Sequence, residues 1–203
     1  MRRMAVLCVM AALAGTCLAA EDGWVSLFDG KTLEGWKASE NTKSWSARDG
    51  MLCAEGPRSH LFYVGDVNKH DFKNFEFKAE VMTKPGSNSG IYFHSAYQDR
   101  GWPGKGFECQ VNNTHRDPKK TASLYNIKNV MHKSPAKDDV WFAYHIIVNG
   151  SKVTIKIDGE VANEWTQPDD AKRKLSHGTF CLQAHDPKSK VYYRNLMVKV
   201  LPD

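Results

Sequence analysis

The chain has 203 residues, of which 25% are charged and 11% aromatic, and a formal net charge of +5. That charged and aromatic content argues against a disordered chain. A weak, evenly spread positive charge argues against nucleic acid as the partner.

Residues 1–20 have the layout of a secretory signal: Arg2 and Arg3, an apolar run from Met4 to Leu13, and small residues ahead of Glu21. The run is too short and too poorly flanked to span a bilayer, and no later segment is long and apolar enough to do so. Cleavage near Ala19 or Ala20 would leave residues 21–203, and losing the two arginines lowers the net charge to +3. That length suits one domain with one core, exported to the periplasm or beyond. Ala14-Gly15-Thr16 ahead of Cys17 is a poor lipoprotein site. Cys53, Cys109 and Cys181 remain. Three cysteines without a CxxC read as buried thiols, not as a disulfide framework or a zinc site.

From there the chain reads as strands and turns. Trp24, Trp36 and Trp45 cluster near the start and are expected in the core. Asp49-Gly50 separates two short strands, a hairpin signal. Phe75–Met82 alternates apolar and mostly charged residues, the mark of a half-buried strand. The same period of two places Ile91 and Phe93 against Tyr92 and His94. It places Phe107, Cys109 and Val111 against Glu108, Gln110 and Asn112. Asn149-Gly150 and Asp158-Gly159 mark further hairpins around Lys152–Ile157. Asp169–Leu175 is the only stretch that looks helical. Phe180, Leu182 and Ala184 then alternate with Cys181, Gln183 and His185. Ten to twelve strands at this spacing predict a single all-β antiparallel sandwich.

Several motifs, taken together and in order, resemble one family. Leu27-Phe28-Asp29-Gly30-Lys31-Thr32-Leu33 with Gly35-Trp36 resembles the LFDGKTLxGW opening of the DUF1080 family, now called the 3-keto-disaccharide hydrolase domain. Asn88-Ser89-Gly90-Ile91, Gly106–Gln110, Ser123-Leu124-Tyr125, Trp141, Leu182–His185 and Tyr193–Leu196 continue the match over nearly all of residues 21–203. The resemblance implies a concanavalin A-like jelly roll of two antiparallel sheets with a sugar cleft on one face. It also implies export in bacteria that degrade polysaccharides. Two positions depart from the family pattern. Phe93-His94 stands where an aromatic-Arg pair is usual, and Trp141-Phe142 where Trp-Asn is usual.

If the apolar residues of the three central strands fill the core, then Tyr92, His94, Glu108, Gln110, Asn112, Gln183 and His185 share the opposite face. Amides, imidazoles and a phenol without lysine suit sugar hydroxyls; the bland alternative is a solvated outer face. Glu108-x-Gln110-x-Asn112 offers one carboxylate where ordinary glycosidases need two. A 3-keto sugar removes that need. Its ketone acidifies the C2 proton, so one base can start elimination at C1–C2, with or without later hydration.

The expected catalytic residues are therefore Glu108 and His185, either of which is the base. Tyr92, His94, Trp102, Gln110, Gln183 and Arg194 are the expected substrate-binding residues. Trp102, in a Gly-Trp-Pro-Gly loop, suits stacking on a sugar ring, and packing as a loop anchor is its alternative. Arg194 follows from the family resemblance. It shares parity with core positions, so only a bulge would re-aim it. The partner expected is an oxidised (3-keto) oligosaccharide or glycoside. No metal-ligand spacing is present, because His115, Asp117, His132, Asp138 and Asp139 are scattered; the enolate chemistry leaves a divalent cation open. Lys172-Arg173-Lys174 reads as solvated surface. A carbohydrate-binding module without turnover is the alternative function.

Overall fold

The computed structural model describes residues 23–203, so the signal-peptide reading of residues 1–20 lies outside the described residues. The period-two segments form thirteen strands. In chain order these are β1 (Trp24–Ser26), β2 (Trp36–Ala38), β3 (Trp45–Arg48), β4 (Met51–Glu55), β5 (Ser59–Tyr63), β6 (Phe75–Thr83) and β7 (Ser89–Ser95). They continue as β8 (Phe107–Val111), β9 (Phe142–Asn149), β10 (Lys152–Ile157), β11 (Glu160–Thr166), β12 (Thr179–Ala184) and β13 (Lys190–Val200). All pairings are antiparallel. One sheet has eight strands, in the order β11-β10-β9-β6-β13-β4-β3 with β1 also on β13; the other has five, in the order β2-β5-β12-β7-β8.

The hairpin signals mostly hold. Asp49 and Gly50 take positive φ between the paired Arg48 and Met51, and Asp158 and Gly159 do so between Ile157 and Glu160. The third hairpin slips by one residue. Asn149 still pairs with Lys152, so the turn is Gly150-Ser151. The expected helix over Asp169–Leu175 does not form; that segment runs as turn and bend over the five-stranded sheet, and among the described residues the helical pieces are two short 3-10 turns at Thr42–Ser44 and Val67–His70. A charge-rich seven-residue run is too short to sustain a helix on local propensity.

The core lies between the sheets. Ile91, Phe93, Phe107, Cys109, Val111, Phe180, Leu182 and Ala184 face it from the five-stranded sheet, as their parity predicts; Phe77, Val81, Tyr144, Ile146 and Val198 face it from the other. Phe180 stacks within 4.6–4.8 Å of Phe72, Phe75 and Phe77. Burying each such ring is worth about 1.5–3 kcal/mol. Trp24, Trp36 and Trp45 are buried as expected. The Leu27–Leu33 motif is structural: Leu27 and Phe28 enter the core, the Leu27 carbonyl accepts from Trp36 Nε1, and Asp29 ties the following turn through the amides of Lys31 and Thr32. Cys53, Cys109 and Cys181 are buried free thiols. Among the described residues no helix is long and apolar enough to cross a membrane.

Candidate active site

The strand parity that sends apolar side chains inward leaves Tyr92, Glu108, Gln110 and Gln183 on the outer face of the five-stranded sheet. There they form the floor of a cleft of about 700 Å³. Loops wall it. Trp102 and Pro103 come from the β7–β8 connection, Tyr125, Asn126 and Ile127 from the long β8–β9 connection, and Trp165, Pro168, Lys172 and Arg173 from the end of β11 and the segment after it. Asn88 and His185 complete the lining. This volume suits a small ligand with a few convergent polar groups.

Glu108 sits at the centre. Its Oε1 accepts from Gln183 Nε2 at 3.0 Å, and Gln183 Nε2 also donates to the Tyr92 hydroxyl at 2.8 Å. With its amide oriented to satisfy both ends, Gln110 donates to Ser89 O at 3.1 Å and to Glu108 Oε1 at 3.2 Å. Burial pushes the Glu108 carboxyl up to about 7, against the opposing pull of hydrogen bonds from Tyr92 and Gln183. Burial likewise pushes the Tyr92 phenol well above its ordinary range, with the Glu108 charge adding to the effect, so Tyr92 stays protonated at neutral pH. Among the described residues, Glu108 is the only carboxylate lining the cleft.

His185 stands at the cleft rim, one residue past β12. Its Nδ1 meets Asp186 Oδ2 at 2.8 Å. Burial raises the Asp186 carboxyl, but hydrogen bonds from His185, Ser189 and the Lys188 amide outweigh it and hold the group down at about 2. A charged Asp186 fixes the imidazole so that Nε2 is the nitrogen left to meet a ligand. Trp102 packs beside it, ring centroids 5.3 Å apart, and Arg58 covers the indole at 5.1 Å. The His115 ring lies 5.6 Å from that of His185 between centroids.

Six of the eight expected site residues thus come together: Tyr92, Trp102, Glu108, Gln110, Gln183 and His185. His94 and Arg194 do not. At His94 the backbone turns left-handed (φ 53°), which breaks the alternation. Gly106 and Gly178 press against that turn so closely that a Cβ on either would stand 2.3 Å from a backbone oxygen. The imidazole points away from the cleft: Nε2 lies 2.9 Å from Lys73 O, and Nδ1 accepts from the Ser176 amide. Arg194 belongs to the other sheet. A bulge between Arg194 and Met197 does re-aim it, but outward, where it pairs with Glu80 at 2.6 Å and covers Trp141 at 4.1 Å. Tyr193 beside it does reach toward the site. It crosses the core to Ser89 Oγ at 2.6 Å, and Ser89 in turn donates to Gln183 O. Asn112 braces the β8–β9 connection, donating to the carbonyls of Asp117 and Lys119.

Four further residues contribute beyond those expected from the sequence. Asn88 lines the cleft one residue before β7. Lys172 and Arg173, expected on a featureless surface, stand on its rim, and Arg173 Nη1 donates to Gly106 O at 3.2 Å. His60 of β5 lies under Trp102, ring centroids 5.5 Å apart. The alternation of Leu61 and Tyr63 into the core was the available signal for His60. Among the described residues, no three His, Cys, Asp or Glu side chains gather as a metal-binding group.

A two-sheet sandwich with a polar, aromatic-edged cleft on the outside of one sheet defines a carbohydrate-related jelly roll. The chain belongs to the 3-keto-alpha-glucoside-1,2-lyase-like domain family, whose profile matches residues 23–199. A 3-keto-disaccharide hydrolase of Bacteroides thetaiotaomicron is 34% identical over 79 residues, covering 36% of this chain and 27% of that relative, so the match spans about a quarter of the relative's length. Among solved structures, a Parabacteroides distasonis protein provisionally described as a glycosyl hydrolase superposes with a TM-score of 0.74 at 22% identity, over 89% of this chain and 94% of that one. The carbohydrate-binding module CBM66 of Bacillus subtilis superposes with a TM-score of 0.58 at 14% identity, over 81% and 95%. At these identities the likeness to the solved structures is one of fold.

Proposed function

We propose that the protein cleaves the glycosidic bond of 3-keto glycosides or 3-keto disaccharides by elimination across C1 and C2, acting after export under the direction of residues 1–20. One observation carries the reading: a single carboxyl, Glu108, lies buried at the cleft floor with its pKa raised to about 7, and among the described residues no second carboxylate lines the cleft. Direct hydrolysis by a carboxylate pair needs that second group. Elimination from a 3-keto sugar does not.

Glu108 carboxylate removes the C2 proton, and the electron pair delocalises onto the C3 oxygen as an enolate. The Tyr92 hydroxyl can donate to that oxygen, and the Gln110 and Gln183 amides, whose N–H groups serve Ser89 O, Glu108 Oε1 and the Tyr92 oxygen, hold the carboxyl and the phenol in place. The pair then returns to form the C1–C2 double bond as the C1–O bond breaks. His185, held by Asp186 through Nδ1, gives a proton from Nε2 to the departing oxygen. Trp102 offers its exposed face to a sugar ring. Hydration of the unsaturated product completes a net hydrolysis; without it the outcome is lyase cleavage.

The test is to incubate the purified protein with the 3-keto and the unoxidised forms of one disaccharide and to follow products by mass spectrometry. Cleavage of the keto form alone is expected. Binding of sugar without cleavage of either form would instead make the chain a carbohydrate-binding module, a reading favoured by the Trp102 platform. Cleavage of the unoxidised form would overturn the elimination mechanism.

A further inference from the structure

His60 is fully buried, and neither of its ring nitrogens has a protein partner. An unpaired buried polar group costs stability, and native interiors hold few of them. A second such atom lies next to it. In the β5–β12 register His60 stands directly opposite Gln183, whose Oε1 is also buried without a partner while its Nε2 serves Glu108 and the Tyr92 hydroxyl. Two unsatisfied groups on adjacent strands, on the face that forms the cleft floor, are more than a packing accident.

The ring is enclosed by other rings. Tyr92 meets it at 5.7 Å between centroids with an interplanar angle of 87°, and Trp102 at 5.5 Å and 76°. Trp102 is 47% exposed and lines the cleft, so its indole is what stands between His60 and the ligand space. The loop beneath the indole is tied down: Gln98 donates to the carbonyls of Arg100 and Trp102 and accepts from the Gly104 amide, and Glu40 accepts from the Gly101 amide. The loop backbone is thus held on both sides of Trp102, so any opening over His60 has to come from the side-chain torsions of the indole. Burial holds the imidazole down at about 4, so it is neutral at physiological pH. A neutral imidazole donates at one nitrogen and accepts at the other, and the Gln183 carbonyl accepts. A sugar hydroxyl supplies the donor and the acceptor that this pair lacks.

We propose that His60 and the Gln183 side-chain carbonyl form a polar socket of the cleft, covered by Trp102, which takes one hydroxyl of the bound sugar when the indole turns aside. This rests on the reading of the cleft as a 3-keto-glycoside site, and it adds a ligand-binding residue and a moving cover to it. The socket selects for a ring that carries a hydroxyl on the Trp102 side. A deoxy sugar leaves both groups unpaired and loses affinity accordingly.

The test uses the unaltered protein with nitrogen-15 in its histidines. The probe is 1,5-anhydro-D-glucitol-3-ulose, which carries the ketone and lacks an aglycone to expel. The expected result is a shift of the His60 ring-nitrogen resonances on adding probe, with a concurrent shift of the Trp102 indole N–H. His60→Phe matches the surrounding rings in size. It should keep the fold, with unchanged circular dichroism, and bind the probe about three- to tenfold more weakly, as loss of one neutral hydrogen bond predicts. His60→Asn serves for resonance assignment if the phenylalanine variant does not fold. If the probe binds while the His60 resonances stay fixed and His60→Phe binds equally well, the socket is refuted and the cleft reading stands. If His60 responds to the probe but no keto glycoside is cleaved, the socket stands and the catalytic reading fails. If the probe does not bind at all, both fall.

Discussion

Gly90 lies directly beneath Glu108: a Cβ on residue 90 would stand 2.5 Å from Glu108 Oε1 and 2.9 Å from its Cγ. Gly90 has ordinary strand φ, so its value here is the space it leaves. The Glu108 carboxyl lies across β7 because that strand has no side chain at this point. The Asn88-Ser89-Gly90-Ile91 motif thus has a physical reading. Asn88 lines the cleft, Ser89 ties β7 to Tyr193 and to β12, Gly90 seats the carboxyl, and Ile91 enters the core.

Gly90→Ala should therefore displace Glu108 without unfolding the sandwich. A misplacement of about 1 Å can cost on the order of a hundredfold in rate. Steady-state kinetics on methyl 3-keto-α-glucoside should show kcat falling far more than KM rises, with unchanged circular dichroism. A wild-type kcat in Gly90→Ala would remove Glu108 from the role of base.

The ionisation of Glu108 makes a paired prediction for rate and stability. As a base it works when deprotonated, so kcat/KM on a 4-nitrophenyl 3-keto-α-glucoside, whose leaving group needs no proton, should rise with pH through an inflection near 7, and Glu108→Gln should abolish turnover. Stability runs the other way. The folded pKa lies above the unfolded value, so the folded state binds the extra proton between about 4.5 and 7. Its contribution is fully present below that window and is lost as pH rises through it, by on the order of 3 kcal/mol. His60 opposes it between about 4 and 6.5, where its lowered pKa makes stability grow with pH. Denaturant unfolding of wild type and Glu108→Gln side by side cancels the His60 contribution. The difference between them should slope across the upper window.

Strand parity makes the cleft floor legible in the sequence, because a period of two commits every second side chain to one face. Tyr92, Glu108, Gln110 and Gln183 were placed by that rule alone. The rule fails where the backbone leaves the strand region. A left-handed φ at His94 and a bulge after Arg194 are local events with no signature in the residues themselves, and each sends its side chain elsewhere. The walls were less legible than the floor. Lys172, Arg173 and Tyr125 reach the cleft through long connections whose paths depend on tertiary bonds, such as those of Asn112 to Asp117 and Lys119. Arg194 was carried by family resemblance, and its neighbour Tyr193 is the residue of that motif that reaches the site from across the core.

Arg194→Ala should accordingly leave turnover unchanged. The guanidinium is 40% exposed, pairs with Glu80 of β6 and covers the ring of Trp141, just ahead of β9. A partly exposed pair of this kind contributes about 1 kcal/mol or less. Thermal unfolding should drop slightly while kcat and KM match wild type. A large loss of kcat would mean that Arg194 reaches substrate by a route the fold does not offer.

Trp102→Ala removes the exposed aromatic wall and uncovers His60. Losing about half of an indole's contact area should cost about 1–2 kcal/mol of sugar binding, or roughly tenfold in KM. The kcat should change less, because the indole touches neither the C2 proton nor the departing oxygen. Equal losses in kcat and KM would point to collapse of the loop, which hydrogen exchange at Gly101 and Gly104 would reveal.

The division of labour between Glu108 and His185 can be separated by the leaving group. In the proposed mechanism Glu108 acts on C2 whatever the aglycone, so Glu108→Gln should be inactive on every substrate. His185 acts only on the departing oxygen, and its help matters in proportion to the basicity of that oxygen. His185→Ala should lower kcat on methyl 3-keto-α-glucoside by about 10²–10⁴-fold, the usual worth of a positioned acid. On a 4-nitrophenyl 3-keto-α-glucoside, whose phenolate leaves without a proton, the same variant should stay within severalfold of wild type. Asp186→Asn should show the same pattern more weakly, since it loosens the tautomer and orientation of His185 and leaves the imidazole in place. Were His185→Ala instead to lose activity equally on both substrates while Glu108→Gln kept activity, the two roles would have to be exchanged.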